Sequence, residues 1–581
     1  MRRLQAKYPA LARNAPVLLM GLAALASVVA LLAMQSGLTF FQDEWNMVIH
    51  RQGFNADAFF LPNDVHPVPL PVAIYKLCLE VFGLTTVGPD RVIAVLLYAA
   101  TAVLLFAYAR KRLGGWLALF PAVLLLFLGP GWNVLLWPFE MTLVGSLAAG
   151  LATLLALERD DRRGDVLACF LLVVSMACSS LGISFALAAA VDVLIKRRRR
   201  GLWRLYVPAL ALVLYVVWYL TYGHKVPSAL SFSNVVAAPL YVAEGVSSSL
   251  SSLVGLNAAT PSAEAFAHPN WDPPLLVATV VLIALWLRRP RPISSQILVV
   301  ATAALSFWVL GGFNFIPGRE PTASRYQYIG VVFIVLILAE LFRGVRLSGR
   351  AIMIVAGIAA IALVSNLLPL KDGLATVEQQ SELARGELAA IEIARDSVEP
   401  AFALTPEIAA TATLTPIDAG SYLAAVDEHG SPAAPLAELP SLSPGVRKQI
   451  DVVLVNALPV ELLLEAEDLA RRSSGLPPQT ENPPGVRTQG SCLEVSPGAA
   501  AEGLGMTLQG STSVRVDPGP KPELGIWRYG EEPALENPLE AGSTSLLRIP
   551  ADRSTAPWHA LLTGEQAMAV CTTGGDLGSS G

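Results

Sequence analysis

Two adjacent carboxylates, Asp43 and Glu44, follow the first long apolar stretch, within Phe40-Phe41-Gln42-Asp43-Glu44-Trp45-Asn46. Carboxylates at the mouth of a membrane span are costly unless they have a partner or a chemical task. If the chain after Gln42 is helical, neighbouring side chains point about 100° apart, so only one can face a cavity squarely. We expect one carboxylate to do chemistry while the other orients it. The alternative is that the pair only charges the first turn of an interfacial helix.

The same loop continues to Asn63-Asp64-Val65-His66-Pro67 and adds a histidine to the candidate site. His66 could orient the reactive carboxylate, and a purely structural hydrogen bond is an equally good interpretation. The semi-apolar stretch 68–82 in this loop predicts helices lying along the membrane surface.

A second polar group is Pro317-Gly318-Arg319-Glu320-Pro321-Thr322-Ala323-Ser324-Arg325-Tyr326-Gln327-Tyr328. The positive-inside rule assigns basic loops to the cytoplasm, and Arg319 and Arg325 break the asymmetry that the other loops obey. Such arginines require an anionic partner, either a protein carboxylate or a phosphate. Tyr326 is a further candidate contact, with an interfacial anchor as the alternative.

Three further residues in loops assigned to the same side are candidate substrate contacts. They are Glu140, at the end of a predicted span, and His224 and Lys225, which begin a long loop suited to a lid or docking role. Glu140 can equally be read as an ordinary interfacial carboxylate.

The elements that must position these residues are transmembrane helices. The chain has 581 residues, of which 54% are hydrophobic and 15% charged, a composition typical of integral membrane proteins. About eleven spans are predicted, with stretches near 16–34, 92–108, 116–128, 205–220, 297–310 and 352–368 among them. Basic residues flank 166–195 at both ends, which favours two short helices turning near 179–182. Asp192 and Lys196, four residues apart, are expected to pair on one helix face.

The charge pattern also predicts the orientation. Arg2, Arg3, Lys7 and Arg13 precede the first span, so the N-terminus is expected in the cytoplasm and Asp43 outside, in a multi-pass protein of the cell membrane. An odd number of spans then places the C-terminus outside. Nucleic acid is not an expected partner.

The last third of the chain changes character. From Asp372 the sequence is polar, first helix-like and then in short alternating runs that predict a small antiparallel sandwich. The predicted domains are 1–370 in the membrane, 371–400 as a helical connector and 401–581 as an extracytoplasmic mainly-β domain. Cys492 and Cys571 are the only cysteines there, and an oxidising compartment predicts a disulfide between them. Two unrelated free thiols are the alternative if this part faces the cytoplasm.

The constellation resembles the C-type membrane glycosyltransferases (GT-C), which include protein O-mannosyltransferases, aminoarabinose transferases and arabinosyltransferases. The likeness covers roughly residues 15–370 and lies in the long first outer loop with Asp43-Glu44 after span one, and in Ser324-Arg325-Tyr326 opening a late span. It implies a polyprenyl-phosphate sugar donor, a first-loop aspartate as general base and basic residues at the phosphate. The first loop lacks an Asp-x-Asp signature, so a divalent cation is compatible with the sequence without being required by it.

The residues support the same chemistry independently. Sugar transfer from a lipid phosphate needs a carboxylate to accept the proton of the acceptor and cations to stabilise the departing phosphate. We expect Asp43 as base, Glu44 or His66 as its orienter, and Arg319 and Arg325 at the phosphate. A transporter or flippase of a lipid-linked sugar is the alternative, although no internal repeat or cluster of charges at mid-membrane depth supports it. A membrane-anchored binding protein would leave so many spans unexplained.

Overall fold

The structure is a computed structural model, and it describes most of the chain, with gaps in both halves. The described residues are 9–40, 42–51, 53–85, 87–257, 271–288, 294–405, 408, 417–464, 484–490, 492–508, 513–517, 523–538, 545–564 and 567–573. Arg2, Arg3 and Lys7, on which the predicted orientation depends, lie outside them.

The chain divides into two compact units, neither of which is continuous in sequence. The first unit comprises Met1–Gly37, Arg51–Val81 and Val87–Glu378. The second unit comprises Leu38–His50, Phe82–Thr86 and Gln379–Gly581.

Long apolar helices make up most of the first unit. Seven of the described helices are long and apolar enough to cross a membrane: Asn14–Met34, Gly88–Leu113, Pro138–Leu157, Leu202–Thr221, Gln296–Phe313, Ser324–Leu341 and Gly349–Ile393. A helix satisfies its own backbone hydrogen bonds, which is why uninterrupted apolar runs adopt this form. The prediction of a mainly helical chain with several apolar helices of membrane-spanning length is confirmed.

Further helices lie in the remaining predicted spans and in the loops between spans. Gly115–Leu126 is bent by 46° against Gly129–Leu136, and this pair could form an eighth span. The other described α-helices of this unit are Ala56–Phe60, Pro69–Phe82, Arg162–Cys178, Gly182–Arg200, Phe232–Val254 and Asp272–Leu287. The helix Phe232–Val254 lies within the stretch predicted as a long loop. The predicted turn near 179–182 is confirmed, and the count of eleven spans stays a prediction.

Buried ion pairs join helices of the first unit to one another. The Arg112 guanidinium pairs with the carboxylates of Glu340 and Glu158, and the Tyr108 hydroxyl donates to Glu340 at 2.8 Å. Arg204 donates through Nη2 to Asp165 at 2.5 Å. These partners come from different helices, so each pair fixes one helix against another.

Local spacing sets a further ion pair. Lys196 Nζ lies 2.9 Å from Asp192 Oδ1, one turn along the same helix, which confirms the predicted pairing. Gln296 also donates to Asp192, at 3.0 Å, and so ties the helix Gly182–Arg200 to the helix Gln296–Phe313.

The surface loop between Arg51 and Leu61 is folded around a buried lysine. Lys76 Nζ donates to the carbonyl oxygens of Arg51 and of Gly53, and it lies 5.2 Å from the ring centre of Phe54. Arg51 in turn donates through Nη1 to the Leu61 carbonyl oxygen at 2.8 Å. Carbonyl groups and an aromatic ring therefore solvate both cations and hold the loop on the helix Pro69–Phe82.

The second unit holds the segment that carries Asp43. Trp45 is fully buried and packs between Phe40, at 5.7 Å, and Tyr422, at 6.1 Å between ring centres. The backbone N–H of Thr39 donates to the Ser381 hydroxyl at 2.8 Å. Contacts with residues far along the chain thus fix the short helix Glu44–Val48.

Helices and two antiparallel sheets form the rest of the described second unit. The helices are Ala419–His429, Pro444–Ala457 and Pro497–Glu502. The strands are β1 (Glu461–Leu464), β2 (Val486–Gln489), β3 (Cys492–Val495), β4 (Leu504–Leu508), β5 (Ser513–Asp517), β6 (Glu523–Trp527), β7 (Leu535–Pro538), β8 (Ser545–Arg548), β9 (Trp558–Thr563) and β10 (Met568–Thr573). Six strands pair in the order β1-β8-β5-β10-β3-β2 and four in the order β4-β9-β6-β7.

Cys492 and Cys571 form a disulfide, which confirms the prediction. The two residues stand opposite each other on the neighbouring strands β3 and β10. The bond therefore links two strands of the six-stranded sheet.

The last predicted span and the predicted connector form one helix, Gly349–Ile393, of 45 residues. The polar residues that begin near Asp372 continue its turns. The helix also contains Pro369, which does not end it.

Candidate functional site

A tight turn of the first loop presents Asp64 at its tip. The backbone N–H of Asn63 donates to the His66 carbonyl oxygen at 3.1 Å, and that of His66 donates back to Asn63 at 3.0 Å. Asp64 has a φ of +54°, in the left-handed region that a residue with a Cβ adopts at a cost. Such strained residues gather at functional sites, which directs attention to this turn.

Arg319 is the partner of Asp64. Its Nη2 group donates to both carboxylate oxygens, while Nη1 donates to the Asn314 carbonyl oxygen at 3.2 Å. The Arg319 side chain is 13% exposed and that of Asp64 is 45% exposed. Arg319 therefore has a protein carboxylate as its anionic partner, which is one of the two partners expected from the sequence.

His66 lies in the same turn and bonds to a different loop. Its Nδ1 shares a hydrogen bond with the hydroxyl of Ser180, in the turn between the helices Arg162–Cys178 and Gly182–Arg200. Burial lowers the pKa of His66 to about 4; Asp64 acts in the opposite direction, and Arg319 and Arg325 lower the value further. The imidazole is therefore neutral at neutral pH, and it can accept a proton or donate the one that it carries.

Arg325 and Tyr326 lie at the start of the helix Ser324–Leu341. Arg325 Nη2 donates to the Gly318 carbonyl oxygen at 2.6 Å, and its guanidinium carbon lies 5.2 Å from the Tyr326 ring centre. Glu320, in the same loop, accepts from the Gly318 backbone N–H at 2.8 Å. We call Asp64, His66, Ser180, Arg319 and Arg325 the Arg319 cluster.

Asp43 and Glu44 belong to the second unit. Asp43 immediately precedes the helix Glu44–Val48 and makes no capping hydrogen bond to it through its side chain. Glu44 is fully buried, while Asp43 is half-buried. The expectation that the two carboxylates face different directions agrees with this difference. The residue before them, Gln42, has a φ of +54°.

The three other candidate contacts have separate surroundings in the first unit. Glu140 is buried at the end of the short 3-10 helix Pro138–Glu140. His224 is exposed, with Nδ1 3.3 Å from the Tyr219 carbonyl oxygen. Lys225 is also exposed, and its Nζ lies 5.2 Å from the Tyr222 ring centre. His224 and Lys225 therefore contact residues at the end of the preceding helix, Leu202–Thr221.

Asp64 and Ser180 are site residues that sequence reasoning did not assign. Asp64 stands two residues before His66, between Asn63 and Val65, and nothing in this spacing singles it out as a site residue. Ser180 gave no signal either, since a serine in a helix-connecting turn is ordinary. Among the described residues, no group of three or more His, Cys, Asp or Glu side chains could hold a metal ion.

Comparison with protein-family models gives no match, and no curated protein is similar in sequence.

Proposed function

We propose that this protein is a glycosyltransferase that moves a sugar from a polyprenyl-phosphate donor to an acceptor outside the cytoplasm. The acceptor would be a glycan, lipid or protein of the cell envelope. The observation that carries the proposal is the Arg319 cluster. It combines two guanidinium groups, suited to a phosphate, with a neutral imidazole that can accept or donate a proton.

The long apolar helices support a lipid-borne donor. Seven described helices could cross a membrane, so a donor with a polyprenyl tail would meet the protein within the bilayer. The proposal includes eleven spans, a cytoplasmic N-terminus and an extracytoplasmic C-terminal domain. In that orientation, which the sequence charges favour, the Arg319 cluster lies at the outer face of the cell membrane.

The proposed reaction needs one proton acceptor and one anion stabiliser. The acceptor hydroxyl oxygen bonds to the anomeric carbon of the sugar, and its proton passes to the Asp43 carboxylate. The bond between the anomeric carbon and the phosphate oxygen breaks, and its electrons leave with the polyprenyl phosphate. Arg319 and Arg325 stabilise that charge, with Tyr326 as a further contact. Glu44, the neighbour of Asp43 in the second unit, orients the base.

Asp43→Asn tests the base. The amide keeps the size and hydrogen-bonding capacity of the carboxylate but cannot take up the proton, so transfer should fall by roughly 10² to 10⁴ with donor binding little changed. Arg325→Ala should weaken both donor binding and transfer, because a charge-assisted contact to phosphate is lost. The assay measures sugar transfer in membranes supplied with a polyprenyl-phosphate sugar, at equal protein level.

Asp57→Asn is the matched control. Asp57 lies in the first loop and hydrogen-bonds to Tyr222, so this variant removes one carboxylate without touching the proposed machinery. Near-normal transfer by Asp43→Asn would reject Asp43 as base and make Glu44 the next candidate. Movement of the lipid across the membrane, dependent on Arg325 and without any sugar transfer, would replace the proposal by the flippase alternative.

A further inference from the structure

The Asp64 carboxylate occupies the Nη2 group of Arg319, which a phosphate would need. Nη2 donates to both Asp64 oxygens, and Nη1 already donates to the Asn314 carbonyl oxygen at 3.2 Å. Carboxylates and phosphates accept hydrogen bonds from guanidinium groups in the same planar directions. A phosphate therefore cannot take the Nη2 contact while Asp64 holds it.

Because of the position of Asp64, breaking its ion pair with Arg319 costs little free energy. Its side chain is 45% exposed, so water can solvate the carboxylate once it leaves Arg319. Two backbone hydrogen bonds between Asn63 and His66 hold the turn behind it, so the side chain can rotate while the turn keeps its form. Its left-handed backbone conformation, with φ at +54°, is one that the surroundings must maintain.

Arg319 is far less able to move. Its side chain is only 13% exposed, and Asn314, at the end of the helix Gln296–Phe313, holds its Nη1 group. In an exchange of partners, the carboxylate is therefore the group that leaves and the guanidinium is the group that stays.

We propose that Asp64 is a resident competitor for the phosphate-binding group of Arg319, so that a phosphate-bearing ligand binds by displacing the Asp64 carboxylate. This inference rests on the proposed function only in taking Arg319 as the phosphate contact. It adds a positioning residue that keeps the arginine paired between ligands and sets the affinity of the site. A largely buried arginine without an anionic partner would otherwise carry a desolvation cost.

Removing the competitor should tighten phosphate binding. Asp64→Asn retains the shape of the side chain but pairs more weakly with a guanidinium, so the ligand no longer competes with a charged partner. The half-saturating phosphate concentration should fall about fivefold, the amount expected for a partly exposed ion pair. Asp64→Ser should act in the same direction, which guards against a specific effect of asparagine.

The measurement is binding of radiolabelled inorganic phosphate to the full-length protein in phosphatidylcholine nanodiscs. A second arm uses nanodiscs that contain a short-chain polyprenyl monophosphate and measures its displacement of the label. Tightening in both arms supports a site for the phosphate group itself. If Asp64→Asn binds inorganic phosphate more tightly but the polyprenyl phosphate does not displace the label, Asp64 is still the competitor. The ligand is then a free phosphate.

Glu320→Gln is the electrostatic control. Glu320 is the neighbour of Arg319 in sequence, and it binds the Gly318 backbone rather than the guanidinium. The substitution removes the same charge from the same loop and should change the phosphate affinity by less than about twofold. If Glu320→Gln tightened phosphate binding as much as Asp64→Asn, the competitor role of Asp64 would be wrong. The tighter binding would then come from the loss of any nearby negative charge.

Two outcomes separate this inference from the proposed function. If Arg319→Ala abolishes phosphate binding but Asp64→Asn binds no more tightly than the unmodified protein, the competitor role is wrong and the phosphate site stands. If Arg319→Ala binds phosphate normally, both the competitor role and the assignment of Arg319 to the donor are wrong. An arginine-specific dicarbonyl reagent gives an independent readout, because it should modify Arg319 faster in Asp64→Asn.

Discussion

At the scale of single residues, the pKa of His66 depends on its burial and on the charges of the Arg319 cluster. Burial lowers its pKa from 6.5 to about 4, so the folded protein keeps the imidazole neutral. Between these two values the unfolded chain binds more protons than the folded protein does. The contribution of His66 to stability is therefore complete above about pH 6.5 and is lost as the pH falls towards 4.

Acidification should consequently destabilise the protein less when His66 is absent. We expect the melting temperature of the unmodified protein to fall more than that of His66→Gln between about pH 7 and pH 5. Thermal unfolding in detergent at both pH values measures this difference. His224→Gln, which changes an exposed histidine, should fall as far as the unmodified protein. Equal falls for all three proteins would contradict the role given to burial at His66.

Sequence reasoning at this scale succeeded where contacts are local. The pair Asp192 and Lys196 follows from the helical repeat alone. The pair Asp64 and Arg319 joins residues 255 positions apart, and only the packing of several helices brings them together. The sequence indicated that Arg319 needs an anion but contained nothing that could identify Asp64 as its partner.

At the scale of elements, the buried ion pair of Arg112 and Glu340 joins the helices Gly88–Leu113 and Ser324–Leu341. The Arg112 and Glu340 side chains are 1% and 0% exposed. Removing one residue of such a pair leaves the charge of the other buried and less well compensated, which destabilises the folded protein. The pair therefore fixes how these two helices lie against each other.

Glu340→Ala should lower the free energy of unfolding by about 3 kcal/mol, because Arg112 stays buried with fewer partners. Equilibrium unfolding in a denaturing detergent measures the loss. Lys111→Ala is the control: its pair with Glu158 lies at the surface, with the lysine side chain 55% exposed, and should contribute less than about 1 kcal/mol. A loss for Glu340→Ala no larger than that for Lys111→Ala would show that the pair does not fasten the helices.

Element boundaries were predictable where the chain carries a break. The turn near 179–182 was recognisable because charges at both ends excluded a single span. Near Asp372 there is no such break: the change from apolar to polar residues marks a change of surroundings and does not interrupt the helix Gly349–Ile393, which takes in the predicted span and most of the predicted helical connector. Composition reports what surrounds a helix, whereas termination requires a capping residue or a break in the backbone hydrogen bonds.

At the scale of the whole molecule, the proposed orientation assigns the two ends of the helices to opposite sides of the membrane. Lys225 and Lys111 are both exposed. Lys225 follows a helix end assigned to the outside, and Lys111 lies in the last turn of a helix whose end is assigned to the cytoplasm. One amine-reactive reagent can therefore test on which side of the membrane each lysine lies.

A membrane-impermeant amine reagent applied to intact cells should label Lys225 and leave Lys111 unlabelled. Permeabilised cells should show both labels, which controls for the reactivity of Lys111. Peptide mass mapping reads out each site. Labelling of both lysines in intact cells would contradict the orientation and, with it, the external position of the Arg319 cluster.

The division of the chain into units was beyond sequence reasoning, because it follows from contacts between distant segments. Leu38–His50 reads as an ordinary loop after a membrane span, yet it packs in the unit that contains Gln379–Gly581. Trp45 is the residue that shows this best, since its ring is fully buried and contacts Tyr422.

This packing has a consequence for biosynthesis. About 330 residues separate His50 from Gln379, so the Asp43 segment leaves the ribosome long before its packing partners exist. At roughly 5 to 20 residues per second, the wait is about 15 to 65 s. During that time Phe40 and Trp45 are without Tyr422, and a nascent chain stalled before Gln379 should expose both rings to chaperones and proteases.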